Sequence, residues 1–234
     1  MKKMNLKKIA FLTLVLAVAA GNIFAHDKGD LMLNIEPSIG IRFPIIELRE
    51  FGGTKANNPI AIGGDLGLRG TVHYYFLGFF GVNTGIGIEG FIGSLTVGRP
   101  LGEFHQDFAA LYFQIPFGVR FSLNAFAFGA GITGNFPMLS QSRWWYDTAK
   151  SRPDAPVSFD AYLGYYFDIG FDTSGNKGNE GGFGLLGRLS GSFADVVTSK
   201  HVTTIGYYDP FNYVSLSLIF QFAIQIASLP MGGN

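Results

Sequence analysis

The stretch Leu31-Met32-Leu33-Asn34-Ile35-Glu36-Pro37-Ser38-Ile39-Gly40-Ile41-Arg42-Phe43 decides the fold. Every odd position in it is apolar, and the even positions carry all of the polar groups. Successive side chains of a strand point to opposite faces, so this alternation predicts a strand with one greasy face and one wet face. Soluble strands usually last about five or six residues. This one, residues 31–43, extends about 43 Å at about 3.3 Å per residue. Tilted by about 40–45°, it rises about 30 Å, enough to cross the apolar band of a membrane barrel.

Upstream, Met1-Lys2-Lys3-Met4-Asn5-Leu6-Lys7-Lys8 precedes an apolar run from Ile9 to Ala20 and then small residues. A basic start, a short apolar run and small residues predict a secretory signal peptide over residues 1–25, cut after Ala25, with Ala19 or Ala20 as the competing sites. The run falls short of the roughly 20 residues of a membrane-spanning helix. Residues 26–234 then form one domain on ordinary size priors. Losing the four lysines of the signal leaves 13 basic against 17 acidic residues, a formal charge of −4, which argues against a nucleic-acid partner. There is no cysteine, so neither disulfides nor thiol chemistry are available. With 33 glycines and 24 phenylalanines, the composition suits bent strands better than helices, whose interiors glycine destabilises.

Downstream, the alternation returns seven times. The apolar faces are Ile60 to Phe76, Phe80 to Ile92, Leu111 to Phe121, Phe126 to Phe136, Val157 to Ile169, Phe183 to Phe193, and, in a strand from Tyr213, Val214 to Phe222 or Ile226. Between them lie polar stretches around 44–59, 94–107, 138–156 and 194–212, short turns at Leu77-Gly78 and Ser122-Leu123-Asn124, and an intermediate turn at 172–179. Long and short connections therefore alternate, as external loops and periplasmic turns do in outer-membrane barrels. The expected fold is all-β: a single-chain antiparallel transmembrane β-barrel of eight strands, ten if a long loop hides a hairpin. A short periplasmic tail covers about 227–234.

Nine charged residues fall within these spans: Glu36, Arg42, Asp65, Arg69, Glu89, Arg120, Asp160, Asp168 and Arg188. All lie on the polar face, which in this barrel lines the lumen. A lipid-facing Arg or Lys at mid-depth would cost about 2–4 kcal/mol. A soluble, lipocalin-like barrel would reverse the faces and turn the apolar residues inward. Opposite charges are expected to pair in the lumen, since burial without a partner is expensive. By depth, Arg42 and Asp65 sit near the outer mouth, Glu36 and Arg69 at mid-depth, and Arg120 and Asp168 near the periplasmic end. Glycines on the polar faces (Gly81, Gly85, Gly87, Gly93, Gly129 and Gly131) would leave room for Arg188, Glu36 and Arg42.

Chemical motifs are few. Gly85 to Gly90, Gly129 to Gly134 and Gly182 to Gly187 match the dinucleotide fingerprint, but each lies within a strand pattern without the helix that holds a pyrophosphate. No cofactor, metal or catalytic residue is assigned. His73 should face the lumen; His105 and His201 fall in external loops, and no spacing sets a histidine beside a nucleophile. Trp144-Trp145-Tyr146, also in a loop, is either an interfacial anchor or an exposed ligand-binding patch.

The eight spans, four external loops and signal resemble the small outer-membrane barrel superfamily of OmpX, the OmpA membrane domain, OmpW and the opacity proteins. The resemblance is one of pattern, without a residue motif that singles out one member. It implies residence in a bacterial outer membrane, contact with its lipid, and insertion by the barrel-assembly machinery. It also implies either a narrow channel for small solutes or a surface protein that meets host ligands. One departure is the C-terminus, where Phe220 and Phe222 are followed by Ala223 to Asn234 rather than ending the chain. Two functions stand: a narrow porin-like channel, slightly ahead on the glycine-walled lumen, and a structural or adhesion protein acting through its loops over a filled lumen. Neither is an enzyme.

Overall fold

The structure, a computed structural model, describes residues 26–45, 48–50, 60–99, 102–146, 159–174, 181–196, 201–202, 206–208 and 212–229. The expected signal peptide, residues 1–25, lies outside them. Eight long strands form the wall: β1 (Asp30–Ile45), β2 (Ile60–Leu77), β3 (Phe80–Arg99), β4 (Gly102–Leu123), β5 (Phe126–Tyr146), β6 (Tyr162–Asp172), β7 (Gly181–Ser192) and β8 (Asn212–Ser228). Each pairs antiparallel with the next, and β8 closes on β1 through registers such as Leu33↔Ile224 and Ile41↔Leu216. Closure leaves the ring without an open edge, as a wall in hydrocarbon requires. At one tight end Asn124 adopts φ 57°, a left-handed conformation that Asn tolerates better than branched residues.

The faces are those of a membrane barrel. Ile39, Leu66, Ile92, Phe167 and Leu216 point outward and are 53–71% exposed, while Glu36, Arg42, Arg69, Arg120 and Arg188 are at most 5% exposed inside. A soluble barrel would show the reverse.

Several boundaries differ from expectation. Residues 94–99 and 102–107 are strand rather than loop: β3 and β4 continue into them, paired from Ser94↔Asp107 to Arg99↔Gly102. The expected loop from 138 begins as strand, because β5 runs on to Tyr146, and Trp144, Trp145 and Tyr146 pair in register with Gln106, His105 and Phe104. A bulge between Leu111 and Tyr112 accompanies that extension. Strand β6 starts at Tyr162 rather than Val157, and β8 runs through Ser228. Outside the ring, Leu48–Glu50, Gly206–Tyr208 and His201–Val202 form a small three-stranded sheet.

The wall is uneven. Pairing between β5 and β6 ends at Asn135↔Tyr162, whereas β4 and β5 stay paired to Phe104↔Tyr146. Residues 136–146 of β5 therefore carry about 36 Å of strand beyond the last β6 partner, at about 3.3 Å per residue.

Candidate functional site

The period-two pattern aims a ladder of polar side chains into the lumen, where they form three connected levels. At the outer level, Arg42 pairs with Glu89 and lies 3.6 Å from Asp65. Its guanidinium stacks 4.0 Å from the Tyr213 ring centroid and 4.9 Å from that of Phe91. Asp65 in turn accepts hydrogen bonds from Ser215 (2.5 Å) and Ser217 (3.1 Å) across the β8 side. Tyr162 and Tyr213 join hydroxyls at 2.7 Å, and Phe159 packs edge-on against Phe91, Phe108 and Tyr112.

At mid-depth Arg188 grips Asp168 with two 2.7 Å bonds, a planar fork on a carboxylate, and reaches Glu36 at 3.3 Å. Gln114 is the hub: it accepts from Arg69 Nε at 2.7 Å and donates to Glu89 at 2.9 Å and to Asn135 at 2.8 Å. Tyr166 lies between Arg69 and Arg188, 5.7 and 4.8 Å from ring centroid to each guanidinium carbon.

The third level, beside the tight turns, centres on Asp172, which accepts from Arg120 at 2.5 Å, Ser174 and Gln221. Tyr75 and Ser122 share a hydrogen bond of 3.1 Å beside it. The segment before β1 then folds over the mouth. His26 stacks on Tyr75 with centroids 3.7 Å apart, its amide donates to the Gly78 carbonyl, and the Gly29 amide donates to that of Tyr75. Gly29 turns with φ +94°, and a Cβ there would collide with the Leu229 carbonyl. Burial holds the His26 imidazole well below its usual value of 6.5, at about 4.

Side chains of the described residues crowd the interior. A void bounded by Arg42, Phe91, Tyr112, Phe159 and Tyr213 measures about 10 Å³, barely the space of one water. Four guanidiniums (Arg42, Arg69, Arg120, Arg188) meet five carboxylates (Glu36, Asp65, Glu89, Asp168, Asp172).

Of the nine charged residues read from the pattern, eight sit in this network. Asp160 does not lie on a strand; it precedes β6, where its amide donates to the Val196 carbonyl. Phe159, expected on the lipid face, turns into the mouth and is 5% exposed. Glu36 and Arg69 are register partners, yet Arg69 turns to Gln114 and Glu89, and Glu36 to Arg188 and Thr71. The glycine walls make room for other groups than expected. A Cβ at Gly87 would come within 2.6 Å of Arg69 Cγ, and one at Gly131 within 2.6 Å of the Tyr166 hydroxyl.

Asp172 reads as the start of a turn in the sequence, although it continues the inward alternation of Asp168 and Gly170. Gln114 and the mouth aromatics Phe91, Tyr162 and Tyr213 likewise lie in phase with inward charges. The side chains of Trp144, Trp145 and Tyr146 lie outside the described residues.

Chemically the network binds itself. Thr71, His73 and Glu36 come together, but Thr71 donates to Glu36 and meets His73 at Nε2, the nitrogen that also faces Glu36. A triad needs the base to hold nucleophile and carboxylate on opposite nitrogens. His73 is also 1% exposed, out of reach of a substrate. Among the described residues no group of three His, Asp or Glu is arranged to hold a metal.

No protein-family model matches the sequence, and no curated protein matches it. Among solved structures, the chain is similar to the outer membrane protein OprG from Pseudomonas aeruginosa, at 14% identity and a TM-score of 0.48, over 88% of this chain and 99% of that one. It is similar to the outer membrane protein AlkL in DMPC lipid bilayers, at 13% identity and a TM-score of 0.43, over 87% and 94% of the two chains. It is also similar to Ail, the attachment invasion locus protein of Yersinia pestis, at 14% identity and a TM-score of 0.35, over 85% and 100%.

Proposed function

We propose that this barrel resides in a bacterial outer membrane as a closed platform, holding its outer hairpins at the cell surface where they meet a ligand. The crowded lumen carries the reading: opposite charges pair across it at every level, and the mouth void is about 10 Å³. An eight-stranded ring is just wide enough to be packed by side chains. The described material that projects beyond the wall includes the extension of β3, β4 and β5, whose described outward apolar side chains end at Ile92, Ala109 and Leu139 while the strands run on to Arg99, Gly102 and Tyr146. Trp144-Trp145-Tyr146 ends that extension.

A narrow channel is the second reading. One observation favours it: among the described residues the ion pairs across the middle of the lumen join side chains of the wall strands, so parting them would widen the lumen without dismantling the wall. Opening would require the Arg42–Glu89 and Arg188–Asp168 pairs to part.

Purified folded barrel in planar bilayers separates the two. The platform reading expects no unitary conductance and no flux of small solutes from loaded vesicles. Steady openings from heat-modifiable, folded protein would transfer the assignment to the channel.

A further inference from the structure

The lipid-facing wall carries a hollow. Two rows of register partners cross β2, β3 and β4 on the outer face: Leu66, Gly90 and Leu111, and one step nearer the outer rim, Gly64, Ile92 and Ala109. Large and small residues alternate in opposite order in the two rows. The missing bulk at Gly64, Gly90 and Ala109 leaves a recess of about 520 Å³ walled mainly by apolar side chains.

Neither glycine is required by the backbone. Gly29 is the one described glycine with positive φ. A Cβ at Gly90 would meet nothing closer than Leu111 Cδ1 at 3.8 Å, and one at Gly64 nothing closer than the Gly40 carbonyl at 3.7 Å. Both are ordinary contacts. Glycine weakens a strand, so what these positions supply is the space itself. One further step outward the row turns polar, with Ser94 beside Asp107, whose partner on β5 is Arg143. The recess thus opens just beneath the rim where the apolar wall ends, the level at which a lipid passes from headgroup to methylenes.

We propose that this recess holds one acyl chain of a bilayer lipid as a bound ligand, with the lipid's polar head beside Ser94 and Asp107. It rests on the membrane reading above, which makes lipid chains the apolar matter that covers this wall. The bound chain restores the packing that the two glycines leave out, and it tethers a lipid to the base of the projecting β3–β5 sheet.

The test uses folded barrel in phosphatidylcholine vesicles carrying a small fraction of lipid with a diazirine on the acyl chain. After irradiation, adducts are mapped by mass spectrometry. Adducts on Leu66, Ile92 and Leu111 should exceed those on Phe167, Leu185 and Leu218 of the far wall several-fold. Gly90→Leu, which fills the recess, should bring them down to the far-wall level. Gly70→Leu should leave them unchanged, because Gly70 faces outward on β2 with open space around it and lies outside the recess. Uniform labelling around the wild-type barrel overturns the bound lipid and leaves the membrane reading standing; absence of labelling overturns both. Barrel-to-barrel cross-links at the recess assign it to a second copy and equally overturn the proposal. The wild-type map decides even if a variant fails to fold.

Discussion

Arg188 shows what a single side chain does in this lumen. Its fork on Asp168 and its reach to Glu36 neutralise two buried carboxylates at once. Arg188→Met should therefore cost about 3–5 kcal/mol in urea unfolding from vesicles, because it strands those charges. Adding Asp168→Asn should recover part of the loss; strictly additive losses would refute the pairing. Arg69 should couple to Glu89 more than to its register partner Glu36 in double-mutant cycles. Its inward direction was legible in the alternation. Its partner was not, because a long guanidinium stem reaches past the nearest strand to Gln114 and Glu89.

His26 supplies a pH dependence. Its imidazole titrates at about 4 in the folded barrel against 6.5 when free, chiefly through burial, with Asp172 and Asp30 opposing and Arg120 and His73 adding to the shift. The folded chain then binds fewer protons than the unfolded one between those values, so stability is lost as pH falls through that window. Corrected hydrogen exchange at the Gly29 amide should speed up from pH 6.5 towards 4, and His26→Ala should abolish that trend.

At the level of elements, alternation was readable where one face meets lipid and the other meets charge. An outward charge there should be costly: Leu218→Arg on β8 is expected to destabilise by about 2–4 kcal/mol in the same unfolding assay, and an inconsequential substitution would contradict the outward register. Beyond the apolar band that pattern fades while the backbone ladder persists. This is why Ser94 to Asp107 reads as loop in the sequence although β3 and β4 remain paired as far as Arg99↔Gly102. Phe159 misled for a related reason. An apolar residue just before a strand is in phase with the lipid face only if the strand has begun, and here it begins at Tyr162. Phe159 instead folds over the mouth onto Phe91, Phe108 and Tyr112.

For the whole molecule, strand number, closure and the direction of both faces follow from the pattern, whereas the state of the lumen does not. Inward glycines suggest open space, but Tyr166 and Arg69 use that space against Gly131 and Gly87. The absence of cysteine from the chain makes the decisive measurement clean. Single cysteines placed along β8 at Ser217, Leu218, Ile219 and Phe220 in vesicle-reconstituted barrel are spin-labelled during refolding. Their collisions with oxygen and with a water-soluble nickel chelate are then compared. Labels at Leu218 and Phe220 should meet oxygen but not nickel, and those at Ser217 and Ile219 should meet neither. Nickel access at Ser217 and Ile219 would reveal a water-filled lumen, and nickel access at Leu218 and Phe220 would place the apolar wall in water, contradicting the account at its root.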